Sequence, residues 1–168
     1  MHPKNNIPDK CTELVRFMGY DSAKTFGLIV KEIVELQGHE GLKVLEKAMI
    51  EKGRIAAKKM KSSGAKINSF MDFGRLYGMS QQGITNSIIS PTKMEIISPN
   101  EVVLVHTSCT KYNAWCSLGL SDELIKETCR IYFLATEILF KELFPDAQMT
   151  KERLLPNGDQ TCNIRFKR

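Results

Sequence analysis

Hydrophobic residues recur along this chain at two different periods, and the change from one to the other divides it. From Ala23 the apolar positions Phe26, Ile29, Val30, Ile33 and Val34 fall at helical spacing, and Asp21 or Ser22 is the cap that predicts a helix start there. The Gly38-His39-Glu40-Gly41 break ends that helix. A second series, Leu42, Leu45, Ala48, Met49, Ala56 and Met60, predicts a helix to about Gly64, where Ser62-Ser63-Gly64 supplies a stop. A third, shorter helix fits Ser69 to Tyr77, with Gly78 at its end. Residues 1–80 therefore read as helical.

Beyond about residue 88 the texture changes. Lys93 to Ile97 and Val102 to Thr107 are rich in β-formers, and the Ser98-Pro99-Asn100 turn between them predicts a hairpin. Ser121, followed by Asp122 and Glu123, has the form of a cap and acidic first turn for a long helix running to about Phe144 and closed by Pro145. Met149 to Leu155 and Thr161 to Phe166 predict a second hairpin around Pro156-Asn157-Gly158-Asp159. The order of helices, hairpin, long helix and hairpin suits an α+β fold: a helical N-terminal half, and an antiparallel sheet from two β-hairpins with the long helix packed on it. No internal repeat beyond the two hairpins and no low-complexity linker divides the 168 residues, so a single domain over 1–168 is expected.

Composition narrows the class. A chain that is 42% hydrophobic and 26% charged is long enough to bury a core of its own. The start MHPKNNIPDK carries no apolar signal run, and no apolar segment approaches the roughly 20 residues that cross a bilayer, so a cytoplasmic protein without a membrane partner is expected. Five cysteines, an odd number without the dense spacing of a disulfide scaffold, fit reduced thiols in a reducing compartment. The net charge of +5 gathers largely in Lys52, Arg54, Lys58, Lys59, Lys61 and Lys66. No aromatic residue stands among them for stacking on bases, so this reads as a solvated helix face rather than a nucleic-acid surface.

The chemistry lies toward the C-terminus. Cys109, Cys116, Cys129 and Cys162 follow His106, and thiols and imidazoles are the side chains best able to bind a metal or attack carbon. Cys162 shares its strand parity with Ile164 and Phe166, which turns it to the core side, and Cys129 lies four residues from both Ile125 and Phe133 on the apolar stripe of the long helix. Buried thiols often serve as small hydrophobes, so core packing competes with chemistry for both. Cys109 and Cys116 flank Tyr112 and Trp115, two turns apart if the segment is helical. His106 alternates with Val102 and Leu104 and is the histidine that fits a site; His2 is in the N-terminal tail, His39 sits in a polar helix connection, and Cys11 stands alone. The spacings of His106, Cys109, Cys129 and Cys162, with Cys116 between them, match no standard zinc or redox signature. No cofactor is required by the sequence, and a metal held by these four remains the alternative. There is no nucleophile elbow, Walker loop, dinucleotide fingerprint or His-Glu-x-x-His run, which argues against nucleotide-dependent and zinc-protease chemistry.

The run from Cys109 through Tyr112, Trp115 and Gly119 to Cys129, followed by Leu154-Leu155-Pro156-Asn157-Gly158-Asp159-Gln160-Thr161-Cys162-Asn163-Ile164-Arg165-Phe166, resembles the L-2-amino-thiazoline-4-carboxylic acid hydrolase family over about residues 100 to 168. The same glycine-to-cysteine ending is similar to vinyl-reductase-type ligand-binding domains, which are not uniformly enzymes. The first resemblance implies hydrolytic opening of a small carboxylated cyclic amidine, with Cys109, Cys129, Gly158 and Cys162 as the matching positions. The chain departs from the family pattern after Cys129, where Arg130-Ile131-Tyr132 stands in place of an acidic residue, and this leaves the general base open. Under this resemblance the catalytic candidates are Cys109, Cys162, Cys129 and His106, as thiolate nucleophile or metal ligands with His106 handling the proton. Arg130 or Lys111 would hold the substrate carboxylate, with Tyr112 and Trp115 beside it. The second resemblance implies a non-catalytic small-molecule or metal sensor. In either case the partner is a small molecule, and assembly into a homo-oligomer is left open.

Overall fold

The structure, a computed structural model, describes residues 9–64, 69, 70, 72 and 92–168, with the side chains of residues 9–16 and 92 outside that description. Helix α1 spans Asp9–Gln37, a short 3-10 turn follows at His39–Gly41, and α2 spans Leu42–Ser62. Strands β1 (Thr92–Ser98) and β2 (Glu101–His106) form the first hairpin. Helices α3 (Thr110–Ser117) and α4 (Asp122–Leu143) come next, and β3 (Gln148–Arg153) and β4 (Cys162–Lys167) enclose a 3-10 turn at Leu155–Asn157.

Helix α1 begins well before the expected cap, so Asp21 and Ser22 lie inside it. Cap-type side chains mark a start only where the preceding chain cannot stay helical, and nothing between Asp9 and Asp21 forbids it: Gly19 weakens a helix without ending it. The end matches expectation, because Gly38 takes a left-handed φ of 66°. The expected helix from Ser69 to Tyr77 lies outside the described residues except for Ser69, Phe70 and Asp72. Phe70 itself is buried, edge-on to Phe144 with ring centroids 5.1 Å apart.

Both hairpins join one antiparallel sheet in the order β1-β2-β4-β3. Each hairpin thus contributes its second strand to the middle of the sheet. The register pairs Val102 with Phe166, Leu104 with Ile164 and His106 with Cys162, so the alternating residues of the two central strands share one face. Val102, Leu104, Ile164 and Phe166 are buried there against Phe140 and Phe144 of α4. On the other face Arg165 is held by Glu101 and Glu152. The second hairpin is shorter than expected, since β3 stops at Arg153 and Leu155 to Asn157 coil into the 3-10 turn that Pro156 favours.

The far side of α4 packs on α2. A Cβ at Gly53 would lie 2.6 Å from the Ala135 carbonyl oxygen and 2.9 Å from Ile138 Cβ, so the two helix backbones approach more closely than any side chain would permit. Helix α4 starts as its sequence dictates, with the Ser121 hydroxyl accepting from the Leu124 N–H at 3.2 Å and Asp122 and Glu123 in the first turn.

Candidate functional site

Four elements bring the candidate residues to one end of the sheet. His106 closes β2 and Cys162 opens β4, directly across from it. Three residues past His106 the chain turns at Cys109, whose extended backbone (φ −136°, ψ 112°) caps α3. The cap position and the docking of α3 fix that thiol. Trp115, only 1% exposed, donates its indole N–H to the Ala23 carbonyl at 2.9 Å, and Gly27 leaves α1 open for the ring, since a Cβ there would lie 2.7 Å from Trp115 Cδ1. Cys129 comes from α4, one residue past the buried Thr128.

The thiols act on one another electrically. Burial pushes Cys129 up to about 12, and neighbouring Cys109 and Cys162 add to that shift while Lys151 and Lys111 oppose it. Cys162 is raised as well, first by burial, and also by Cys109 and Asp159. The Leu155 N–H, which donates to Cys162 Sγ at 3.2 Å, works in the other direction. That donor is aimed by the loop: Asp159 accepts from the Leu154 N–H at 2.8 Å, and Gly158 takes φ 89°, a conformation that side chains resist. Burial, then the positive charge of Lys111, draws His106 down to about 4, so its imidazole is neutral at physiological pH. A neutral imidazole can accept a proton.

The arrangement separates the expected residues into two groups. Cys109, Cys129 and Cys162 share an electrostatic neighbourhood, and His106 joins them through its pairing with Cys162 and through Lys111. Cys116 is exposed on α3 and hydrogen-bonds with Tyr112, whose hydroxyl it shifts upward, and it is not among the groups that act on Cys129 or Cys162. Trp115 is a core residue, its one donor spent on α1. Arg130 is on the exposed side of α4, where Glu127 (2.6 Å) and Glu46 hold its guanidinium, and it is not among the charges that act on the thiols. A helix turns adjacent residues about 100° apart, so proximity to Cys129 in sequence carried no proximity in space. Among the described residues no three of His, Cys, Asp or Glu converge as a metal would require, and the metal alternative finds no ligand set there.

Lys151, absent from the candidates drawn from the sequence, also acts on Cys129. It pairs with Ile164 and therefore faces α4, where its ammonium meets Glu137 at 2.6 Å and lies 5.6 Å from the Phe133 ring centroid. Its signal was the parity it shares with Met149, a charge on the inward side of a strand. Glu137 also lines a groove of about 410 Å³ between α4 and β3, with Phe140, Lys141, Gln148 and Met149. None of the three thiols lines that groove.

The family model described as L-2-amino-thiazoline-4-carboxylic acid hydrolase matches residues 21–166. The chain belongs to that family. The match takes in α2, both hairpins and α4, together with His106 and all three clustered thiols. No curated protein matches the chain. Among solved structures, a trafficking protein particle complex subunit 3 from Naegleria fowleri covalently bound to palmitic acid is similar with a TM-score of 0.58 at 12% identity, covering 90% of this chain and 95% of that one. At that identity the likeness is one of fold.

Proposed function

We propose that this member of the thiazoline-carboxylate hydrolase family opens a small carboxylated cyclic amidine with water, using Cys109 as nucleophile and His106 as base. The observation that carries this reading is a neutral imidazole, His106, on the same sheet end as three thiols of unequal burial. Cys129, raised to about 12, holds its proton at neutral pH, and Cys162 is raised as well. Cys109, half-buried and three residues from His106, is the thiol left to react.

In this scheme the Cys109 thiol passes its proton to His106 as its sulfur adds to the amidine carbon. The ring carbon–nitrogen bond breaks, and the imidazolium returns the proton to the departing nitrogen. Water then displaces the sulfur from that carbon and restores the thiol, so the product is the substrate plus one water. Lys111 and Lys151, the two cations acting on Cys129, would hold the carboxylate.

Incubation with 2-amino-thiazoline-4-carboxylate, followed by mass spectrometry, tests the reading. Expected is a product heavier by one water, formed by the wild type and lost in a folded Cys109→Ser variant. No ring opening across a panel of such rings would overturn it. One observation favours a second reading, a small-molecule binder: a fold neighbour holds palmitic acid covalently. An inactive wild type that gained thermal stability with a ligand of that kind would support it.

A further inference from the structure

Much of the exposed apolar surface lies on α1 and α2, in a repeated pattern. On α1, Phe17 (66% exposed) and Leu28 stand eleven residues apart, and the acids Asp21 and Glu32 stand eleven apart, each four residues after an apolar one. On α2, Val44 (64% exposed) and Ile55 are again eleven apart, and Lys47 and Lys58 follow each by three. Eleven residues make about three turns with a drift of only about 20°, so each set runs in one line along its helix. Met18, Ile29 and Leu36 widen the apolar part of the α1 face.

The charges on these two lines, Asp21, Glu32, Lys47 and Lys58, have no ion-pair partner among the described residues. The rim cations of α1 are engaged, Lys31 with Glu35 at 3.7 Å and Lys24 over the Tyr20 ring, and on α2 Arg54 meets Glu51. An acidic-apolar line and a basic-apolar line of equal pitch are complementary, whereas α1 set antiparallel on another α1 would bring Asp21 to Glu32.

We infer that the chain forms a homodimer in which the Phe17–Leu28 face of α1 in one copy docks on the Val44–Ile55 face of α2 in the other, and the reverse. Phe17 to Leu36 and Val44 to Ser62 each extend about 28 Å at a width of about 10 Å. Two such faces give on the order of 600 Å² per copy, at the low end of a specific interface. The dimer is therefore weak and sensitive to salt, because its ion pairs sit at a hydrated surface.

Light scattering on the full chain at low ionic strength tests this directly. The wild type is expected at twice the monomer mass, falling toward one in high salt. Asp21→Lys with Glu32→Lys, and separately Lys47→Glu with Lys58→Glu, should each give a monomer with an unchanged circular dichroism spectrum. Mixing the two variants should restore a dimer, since each now carries the charges that the other lacks. A wild type monomeric at every concentration, a dimer that persists in either variant, or failure of the mixture to associate would each overturn the proposal.

Discussion

His106 and Cys162 face each other across the two central strands of the sheet, so an imidazole and a thiol share the end of the same buried row that Val102 and Phe166 begin. Position along that row decides their chemistry. The row is packed under α4, and the same burial that stabilises the sheet lowers His106 and raises Cys162.

This coupling gives a stability that depends on pH. The His106 pKa is about 4 folded and about 6.5 unfolded, so the unfolded chain binds the proton more readily. The stabilisation is complete above about pH 6.5 and is lost as pH falls toward 4, at most on the order of 3 kcal/mol. Denaturant melts between pH 7 and 4 should show the decline, and His106→Asn should flatten it. The same shift places the acid limb of kcat/KM near pH 4. A limb at 6.5 would rule out His106 as a desolvated base.

Much of this was legible in the sequence. The Ser121 cap, both hairpin turns and the inward parity of Cys162 depend on local chemistry, and local chemistry is what a sequence states. The reach of α1 back to Asp9 was not legible, because Asp21 and Ser22 suit a cap equally well when nothing breaks the helix before them. Helix α3 is only eight residues long, and it is the docking of its Trp115 on Ala23 and Gly27 of α1 and against Ile125 and Tyr132 of α4 that makes this residue part of the core. Arg130 and Lys151 differ in a way that the sequence does not state. Carboxylates hold both, Glu127 and Glu46 at Arg130 and Glu137 at Lys151; what separates them is that Lys151 acts on Cys129 and Arg130 does not, and that depends on strand pairing rather than on distance along the chain.

The substrate-holding role divides those two cations by experiment. Lys151→Met should raise KM for the carboxylated ring about tenfold, the equivalent of about 1.4 kcal/mol, and leave KM for a ring without the carboxylate unchanged. Arg130→Ala should leave both KM values as they are, since its partners lie on the outer side of α4. Steady-state kinetics on the two rings reads both outcomes.

The Cys162 environment predicts a change in reactivity. Gly158→Ala forces a side chain into φ 89°, at a cost of about 1–2 kcal/mol. It also moves the loop that aims the Leu155 N–H at Cys162. Alkylation of Cys162, followed by peptide mass mapping, should be slower in the variant than in the wild type, because the thiolate loses the donor that favours it, while Cys116, already exposed, should be modified at the same rate in both.

Gly53 predicts the opposite of what helix propensity would give. Alanine at an interior helical glycine ordinarily gains about 1 kcal/mol. Here its methyl group would meet the Ala135 carbonyl oxygen at 2.6 Å and Ile138 Cβ at 2.9 Å, and both are close to the α4 backbone rather than at the free end of a side chain. The helices must separate, and overpacking of this kind costs about 1–3 kcal/mol, more than the propensity gain when α4 also carries Phe140 into the sheet core. Gly53→Ala should therefore lower the midpoint of thermal unfolding. Because α4 carries Cys129 as well, the variant should also speed Cys129 alkylation; a midpoint that rose instead would mean that α2 and α4 do not approach as closely as this geometry requires.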